Sequence, residues 1–262
     1  MNFHDHGASM QPISLHSNRA LPCTVLLALL LLYVQAASAI DLSRIWSTTG
    51  AGAVVKDTRN VGRFDAPKLS TDARVVVQQG DRYSVEVQAE ENVVSLVDTY
   101  VENGTLVVED NKHFKSSTAE VVVTLRHVNS IGTTGAVAVV AQGLSAPRLS
   151  LSMGGSSALT LKSVSIGKLR AVLGGSSALK VSGVAEDLYG ELGGSSAMQA
   201  SELEANSVSI NGGGSAQAIV WAKQSLNLSL GGSSGVSYFG NVHPTLATSG
   251  SATVKKLGST PQ

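Results

Sequence analysis

The chain has 262 residues, with 19 Lys and Arg against 19 Asp and Glu, and a single cysteine. Balanced charge gives no basic surface for nucleic acid or an acidic membrane, and one cysteine rules out a disulfide framework, so a hydrophobic core must hold the protein together. Aromatic residues make up only 4% while glycine reaches 27 residues, a composition suited to many backbone turns.

Residues 1–39 read as a secretory signal. Arg19 precedes an apolar run from Thr24 to Val34, and Ala37-Ser38-Ala39 supplies the small-x-small pattern of a cleavage site. The run is shorter than the roughly 20 apolar residues of a membrane span, so no stable span is expected after cleavage. Met10 is an alternative start, because residues 1–18 are unusually polar for a leader. Cys23 lies ahead of the apolar run and is not placed for lipid attachment. The expected location is outside the cytoplasm: periplasm, cell surface or extracellular space.

Residues 40–59 form a lead-in, and 60–130 a strand-rich first part. Arg82 to Ala89 alternates after the turn Gln79-Gly80-Asp81, and Glu120 to Arg126 is a further strand. Tyr100-Val101-Glu102 and Thr105 to Val108 flank Asn103-Gly104, which predicts a tight hairpin. This part is expected to begin the repeated body that follows, or to cap its first open rung. Asp81, Glu86, Glu90, Glu91, Asp98, Glu102, Glu109 and Asp110 gather here. A solvated strand face accounts for them, with a cation-binding or partner-binding face as the alternative.

From 131 to 255 the chain repeats. Gly-Gly-Ser-Ser occurs at 154–157, 174–177, 193–196 and 231–234, with a degenerate copy at Asn211 to Ser215. The apolar residues before these corners, Met153, Leu173, Leu192, Ile210 and Leu230, are spaced by 20, 19, 18 and 20. Ile131 to Ala136 and Thr248 to Ala252 are looser relatives that break this spacing. Alternation as in Ala158-Leu159-Thr160-Leu161-Lys162 is that of a half-buried strand. A second alternating stretch, such as Leu169 to Leu173, closes each period. The predicted fold is all-β, a right-handed parallel β-solenoid (β-helix) of about 18–20 residues per rung. Residues 256–262 form a tail.

Glycine supplies positive φ at such corners, and serine bonds to nearby backbone. Corner chemistry is a sufficient explanation. A second reading makes Ser156, Ser157, Ser176, Ser177, Ser195, Ser196, Ser233 and Ser234 a ladder that also touches a partner.

Chemistry is harder to find. Gly231 to Gly235 fits Gly-x-Ser-x-Gly, yet no Asp or Glu follows Ser233, so a nucleophile elbow would lack its acid. Calcium repeats carry Asp where these carry Ser, and His113, His127 and His243 have no zinc-ligand spacing. Glu186, Asp187, Glu191, Glu202 and Glu204 could serve a polysaccharide-degrading site if paired, although the repeats offer only Tyr189, Trp221, Tyr238 and Phe239 as aromatics. No catalytic, cofactor-binding or metal-ligating residue is assigned.

The order Val61-Gly62-Arg63-Phe64-Asp65, Val75 to Asp81, Asn103 to Val108, Gly-Ser corners, Tyr238-Phe239-Gly240-Asn241 and Thr248 to Ala252 resembles the bacterial head GIN domain family, labelled as autotransporter adhesins. The resemblance spans roughly 60–255. It implies an all-β solenoid in an exported bacterial protein, with no catalytic residues to carry over. A self-exporting autotransporter is expected to carry a C-terminal membrane barrel, which this chain lacks before its end at Gln262. The expected role is a non-enzymatic adhesion or scaffolding module of the bacterial envelope or cell surface, whose partner is an envelope protein, a glycan or a host surface. The alternatives are a polysaccharide-binding or polysaccharide-degrading β-helix, and an envelope sensor or assembly partner. Open solenoid ends favour a homo-oligomer.

Overall fold

Seven glycines stand one above another along an edge of the molecule: Gly135, Gly155, Gly175, Gly194, Gly214, Gly232 and Gly250, all with φ between 66° and 75°. The amide of the residue after each donates to the carbonyl of the glycine one rung below, from Ser156 to Gly135 up to Ser251 to Gly232, at 2.7–2.8 Å. A Cβ on Gly175 would lie 2.5 Å from the Gly155 oxygen. Left-handed backbone and close approach therefore both demand glycine. Successive spacings in this column are 20, 20, 19, 20, 18 and 18 residues, so the corners at Gly135 and Gly250 are regular members. Their irregularity in sequence came from the flanking residues, which vary, while the stacked glycine does not.

The computed structural model describes residues 47–261. The signal segment, Met10, Cys23 and residues 40–46 of the lead-in lie outside the described residues. In chain order the elements are β1 (Thr48–Thr49), β2 (Val54–Arg59), β3 (Ala66–Ser70), β4 (Arg74–Gln79), β5 (Ser84–Glu90), α1 (Glu91–Val94), β6 (Val97–Glu102), β7 (Thr105–Asp110), β8 (Phe114–Lys115), β9 (Glu120–Leu125) and β10 (Ser130–Thr133). They continue with β11 (Ala138–Gln142), β12 (Ser145–Met153), β13 (Ala158–Leu173), β14 (Ala178–Leu192), β15 (Ala197–Gly212), β16 (Gln217–Leu230), β17 (Gly235–Phe239), β18 (Thr245–Thr248) and β19 (Thr253–Gly258). No helix among them is long and apolar enough to cross a membrane.

The rungs make a parallel β-solenoid of about six turns. A first face stacks β3, β10, β12, the last parts of β13 to β16, and β18. A second face stacks β4, β11, the first parts of β13 to β16, β17 and β19. A third, shorter face pairs Ser165 and Ile166 with Val184 and Ala185, and Ala185 with Ala205. Each full period in β13 to β15 is thus one long bent strand instead of two separate ones. The bends fall at register shifts, where Ser163 has φ 53° and Gly183 φ 128°, so the ladder continues around the corner.

Alternation buries one column per position. Val139, Leu159, Leu179, Met198, Ala218 and Val236 form one; Ile131, Leu151, Ala171, Ile210 and Leu228 belong to another. Each fully buried Leu or Val contributes about 1.5–3 kcal/mol by leaving water, which lets the coil stand without disulfides.

The strand-rich part belongs to the same stack. β3 and β4 form a rung beneath β10 and β11, and β7 and β9 lie parallel beneath β3 and β4. Antiparallel strands then end the stack: β6 pairs with β7 through the hairpin at Asn103 (φ 50°) and Gly104 (φ 75°), as the sequence predicts, and β5 and β2 extend from β9. Val93 of α1 is fully buried at this end. The first part both begins the solenoid and caps it.

Candidate interaction surface

The Gly-Ser corner separates its two serines. Ser156, Ser176, Ser195 and Ser233 are exposed, whereas Ser157, Ser177, Ser196 and Ser234 are each only 1% exposed. A ladder of eight touchable serines is therefore corrected to four, joined by Ser215 and Ser251 at the same station. Parity is the reason: Ser157 stands two residues before the inward Leu159 and shares its face. That signal was present in the sequence. Thr133 and Ser157 satisfy each other's hydroxyls at 2.8 Å, and Ser234 donates to the Gly231 carbonyl at 2.8 Å. Ser177 and Ser196 have no hydrogen-bond partner among the described residues.

The five carboxylates that could have served polysaccharide cleavage are mostly committed to cations. Lys168 holds Asp187 at 2.9 Å, Arg170 holds Glu191 at 2.7 Å, Lys180 reaches Glu202 at 3.4 Å and Lys223 holds Glu204 at 2.8 Å. Glu186 and Glu204 do line one shallow groove with Ser165, Val184 and Asn206. With Glu204 bound by Lys223, that groove presents one carboxylate without an ion pair among the described residues, where acid–base cleavage of a glycosidic bond needs two.

The outer side of the first face carries a better-built site. Cross-rung register sets Arg170 beside Tyr189, and Glu191 beside Asn211. The Arg170 guanidinium lies over the Tyr189 ring, 4.9 Å from its centroid, and donates to Glu191 at 2.7 Å. The Tyr189 hydroxyl donates to the same Glu191 oxygen at 2.8 Å, and Asn211 donates to that hydroxyl at 2.9 Å. Three rungs thus fix one aromatic ring. An adjoining groove of about 550 Å³ is lined by polar Asn211, Ser229, Thr248 and Ser249 together with Leu230, Ala247 and the glycines at 212, 213 and 231. Sequence reading counted Tyr189 only as one of a few aromatics, because two of its three partners, Arg170 and Asn211, lie 19 and 22 positions away, one rung down and one rung up.

A second cluster sits near the capped end. Asp72 accepts from the Phe114 amide at 3.1 Å and contacts His113 Nδ1 at 2.9 Å. Its own amide donates to Asp110, as does the Thr71 hydroxyl. Burial raises the Asp110 carboxyl to about 6 against these two donors. Glu90, which accepts from Ser116 at 2.6 Å, is held below the usual carboxylate range, chiefly by that bond. His113 and Asp110 thus tie β7 and β8 to the turn between β3 and β4; sequence reading found only that His113 lacks zinc-ligand spacing and placed Asp110 among the solvated acids.

Three solved structures share the architecture. A putative adhesin from Bacteroides fragilis superposes with a TM-score of 0.74 at 19% identity, covering 80% of this chain and 100% of that one. A putative lipid binding protein from Parabacteroides distasonis gives 0.65 at 17% identity over 81% and 100% of the two chains. A putative adhesin from Parabacteroides merdae gives 0.64 at 17% identity over 80% and 99%. No curated protein is significantly similar in sequence. The family model described as "Putative auto-transporter adhesin, head GIN domain" matches residues 63–242. The chain belongs to the head GIN domain family.

Proposed function

We propose that the protein is an exported, non-enzymatic adhesion module that holds a polar partner, a glycan foremost, on the outer side of its first face. The observation that carries this reading is the Tyr189 ring, gripped by Arg170, Glu191 and Asn211 beside a groove that offers the side chains of Asn211, Ser229, Thr248 and Ser249. A sugar offers hydroxyls to the groove and C–H faces to an aromatic ring, and a ring already ordered costs little further entropy on binding. Membership of a family described as adhesins supports the same direction.

The test is a binding screen of the purified protein against glycans, peptidoglycan, host matrix proteins and lipid vesicles, the last because one structural neighbour is named as lipid binding. Binding to a glycan that falls about tenfold or more in Tyr189→Ala supports the proposal. Turnover of a polysaccharide that depends on Glu186 overturns it. Capture of vesicles with no glycan binding does so too.

A further inference from the structure

The two ends of the coil are built differently. Among the described residues the last rung has no cap: β18 pairs there only with β16 and β19 only with β17, so each leaves one edge of amides and carbonyls open. Leu246, in register with the buried Leu228, is 50% exposed there, and Leu257 of β19 is 41% exposed. At the other end β6 is the outer strand of the first face and β2 that of the second, again each paired on one side. Tyr100 of β6 and Val54 of β2 are exposed as well. Four of the five large exposed hydrophobic residues among the described residues therefore lie on the outer strands of the two ends.

The charges of the ends are opposite. No Asp or Glu occurs after Glu204, while Lys255 and Lys256 lie on β19, and Lys256 stands in register above the buried Tyr238. Neither lysine has an ion-pair partner among the described residues. At the capped end Lys56 and Arg59 are paired with Glu86 and Asp57, leaving Glu91 of α1 and Asp98 and Glu102 of β6 without cationic partners among the described residues.

We propose that copies of this chain stack head to tail, the open last rung of one receiving the capped end of the next. Translation along the axis keeps strand directions, so β18 meets the next copy's β6 antiparallel on the first face. On the second face β19 meets the next copy's β2 parallel. The joint pairs open edges, covers Leu246, Leu257, Tyr100 and Val54, and brings Glu91, whose amide bonds to Ala53 just before β2, toward Lys255 and Lys256 of β19. Pairing two last rungs would instead set these lysines against their own copies, which is unfavourable. A head-to-tail joint does not close on itself, so the product is a filament that repeats the first face along its length. A filament of weak sites binds a multivalent surface with avidity, though the stacking itself does not depend on what that face binds.

Sedimentation velocity of the full chain between about 1 and about 100 µM, in low salt and in about 0.5 M salt, tests the joint. The expected result is species larger than dimers that grow with concentration and shrink in salt. Lys255→Glu with Lys256→Glu raises the concentration for half-assembly about tenfold or more, and adding Glu91→Lys to that same chain restores part of it. These positions are exposed, so circular dichroism and the melting temperature report whether each variant is folded. Monomers at every concentration, growth that stops at a dimer, or charge-reversed variants assembling as the parent does would each overturn the proposal.

Discussion

Thr133 and Ser157 share a 2.8 Å hydrogen bond between hydroxyls that are both sealed in the core. One rung up, the inward serine Ser177 has no such partner, because Met153 and Leu173 occupy the stations above Thr133. A buried hydroxyl without a partner costs about 1–3 kcal/mol, while a paired one is nearly neutral. Ala216 already fills the same column and is buried. Ser177→Ala and Ser196→Ala are therefore expected to leave stability unchanged or raise it by about 1 kcal/mol. Ser157→Ala, which orphans Thr133, is expected to lower it by about 1–3 kcal/mol. Thermal unfolding of the three variants checks the contrast.

Gly175 gives the opposite kind of corner variant. An added methyl would meet the Gly155 carbonyl oxygen at 2.5 Å, on a backbone at φ 66°. Left-handed backbone alone costs a non-glycine residue about 1–2 kcal/mol, and the clash must also break the stacked amide ladder. Gly175→Ala is expected to destabilise by at least about 2 kcal/mol, read as a lower urea midpoint. Gly213, whose Cβ would meet nothing within 4 Å, is the control; Gly213→Ala is expected to be mild.

The core thins where Gly212 follows Leu192 in its column and Ala218 follows Met198. A gap too small to hold a water molecule remains there, lined by Leu192, Ile210, Ala216, Ala218, Leu230 and Val236. The Ala218 column otherwise holds Val, Leu, Leu, Met and Val. Ala218→Val is expected to change the melting temperature little, because about 1–2 kcal/mol of added burial is offset where the walls must move to take both methyl groups. A fall would mean the backbone cannot accommodate the branched side chain.

Asp110 makes stability depend on pH. Its carboxyl is raised from 3.8 to about 6, mainly by burial, with Asp72 adding to the rise and His113 opposing it. The folded protein therefore holds this proton more tightly than the unfolded chain. The resulting stabilisation is complete below about pH 4 and is lost as pH climbs through about 6. Because the group is only half-buried, the loss between pH 5 and 7.5 is expected to be on the order of 1 kcal/mol. Melting curves across that range check the slope, and Asp110→Ala is expected to flatten it even though it is less stable overall.

Much of the architecture was legible because it is written in adjacent residues. Asn103-Gly104 supplies two consecutive positive φ angles, and a hairpin follows at that place. Leu159 and Leu161 alternate with Thr160 and Lys162, and the strand buries the first pair. The candidate surface was less legible. Arg170, Tyr189 and Asn211 become neighbours only when rungs stack in register, and no short window contains all three. The same stacking dispersed Asp187, Glu191, Glu202 and Glu204 onto separate cations, although they lie close in sequence.

By itself the sequence determined the coil: a glycine where the backbone must turn left-handed, and a period of two between turns, are local demands that a few residues satisfy. Only the tertiary structure decided which side chains meet across rungs and that, among the described residues, one end is capped while the other stays open. Those outcomes depend on register summed over whole strands and on where the chain doubles back. A difference of one position reverses which face a side chain joins.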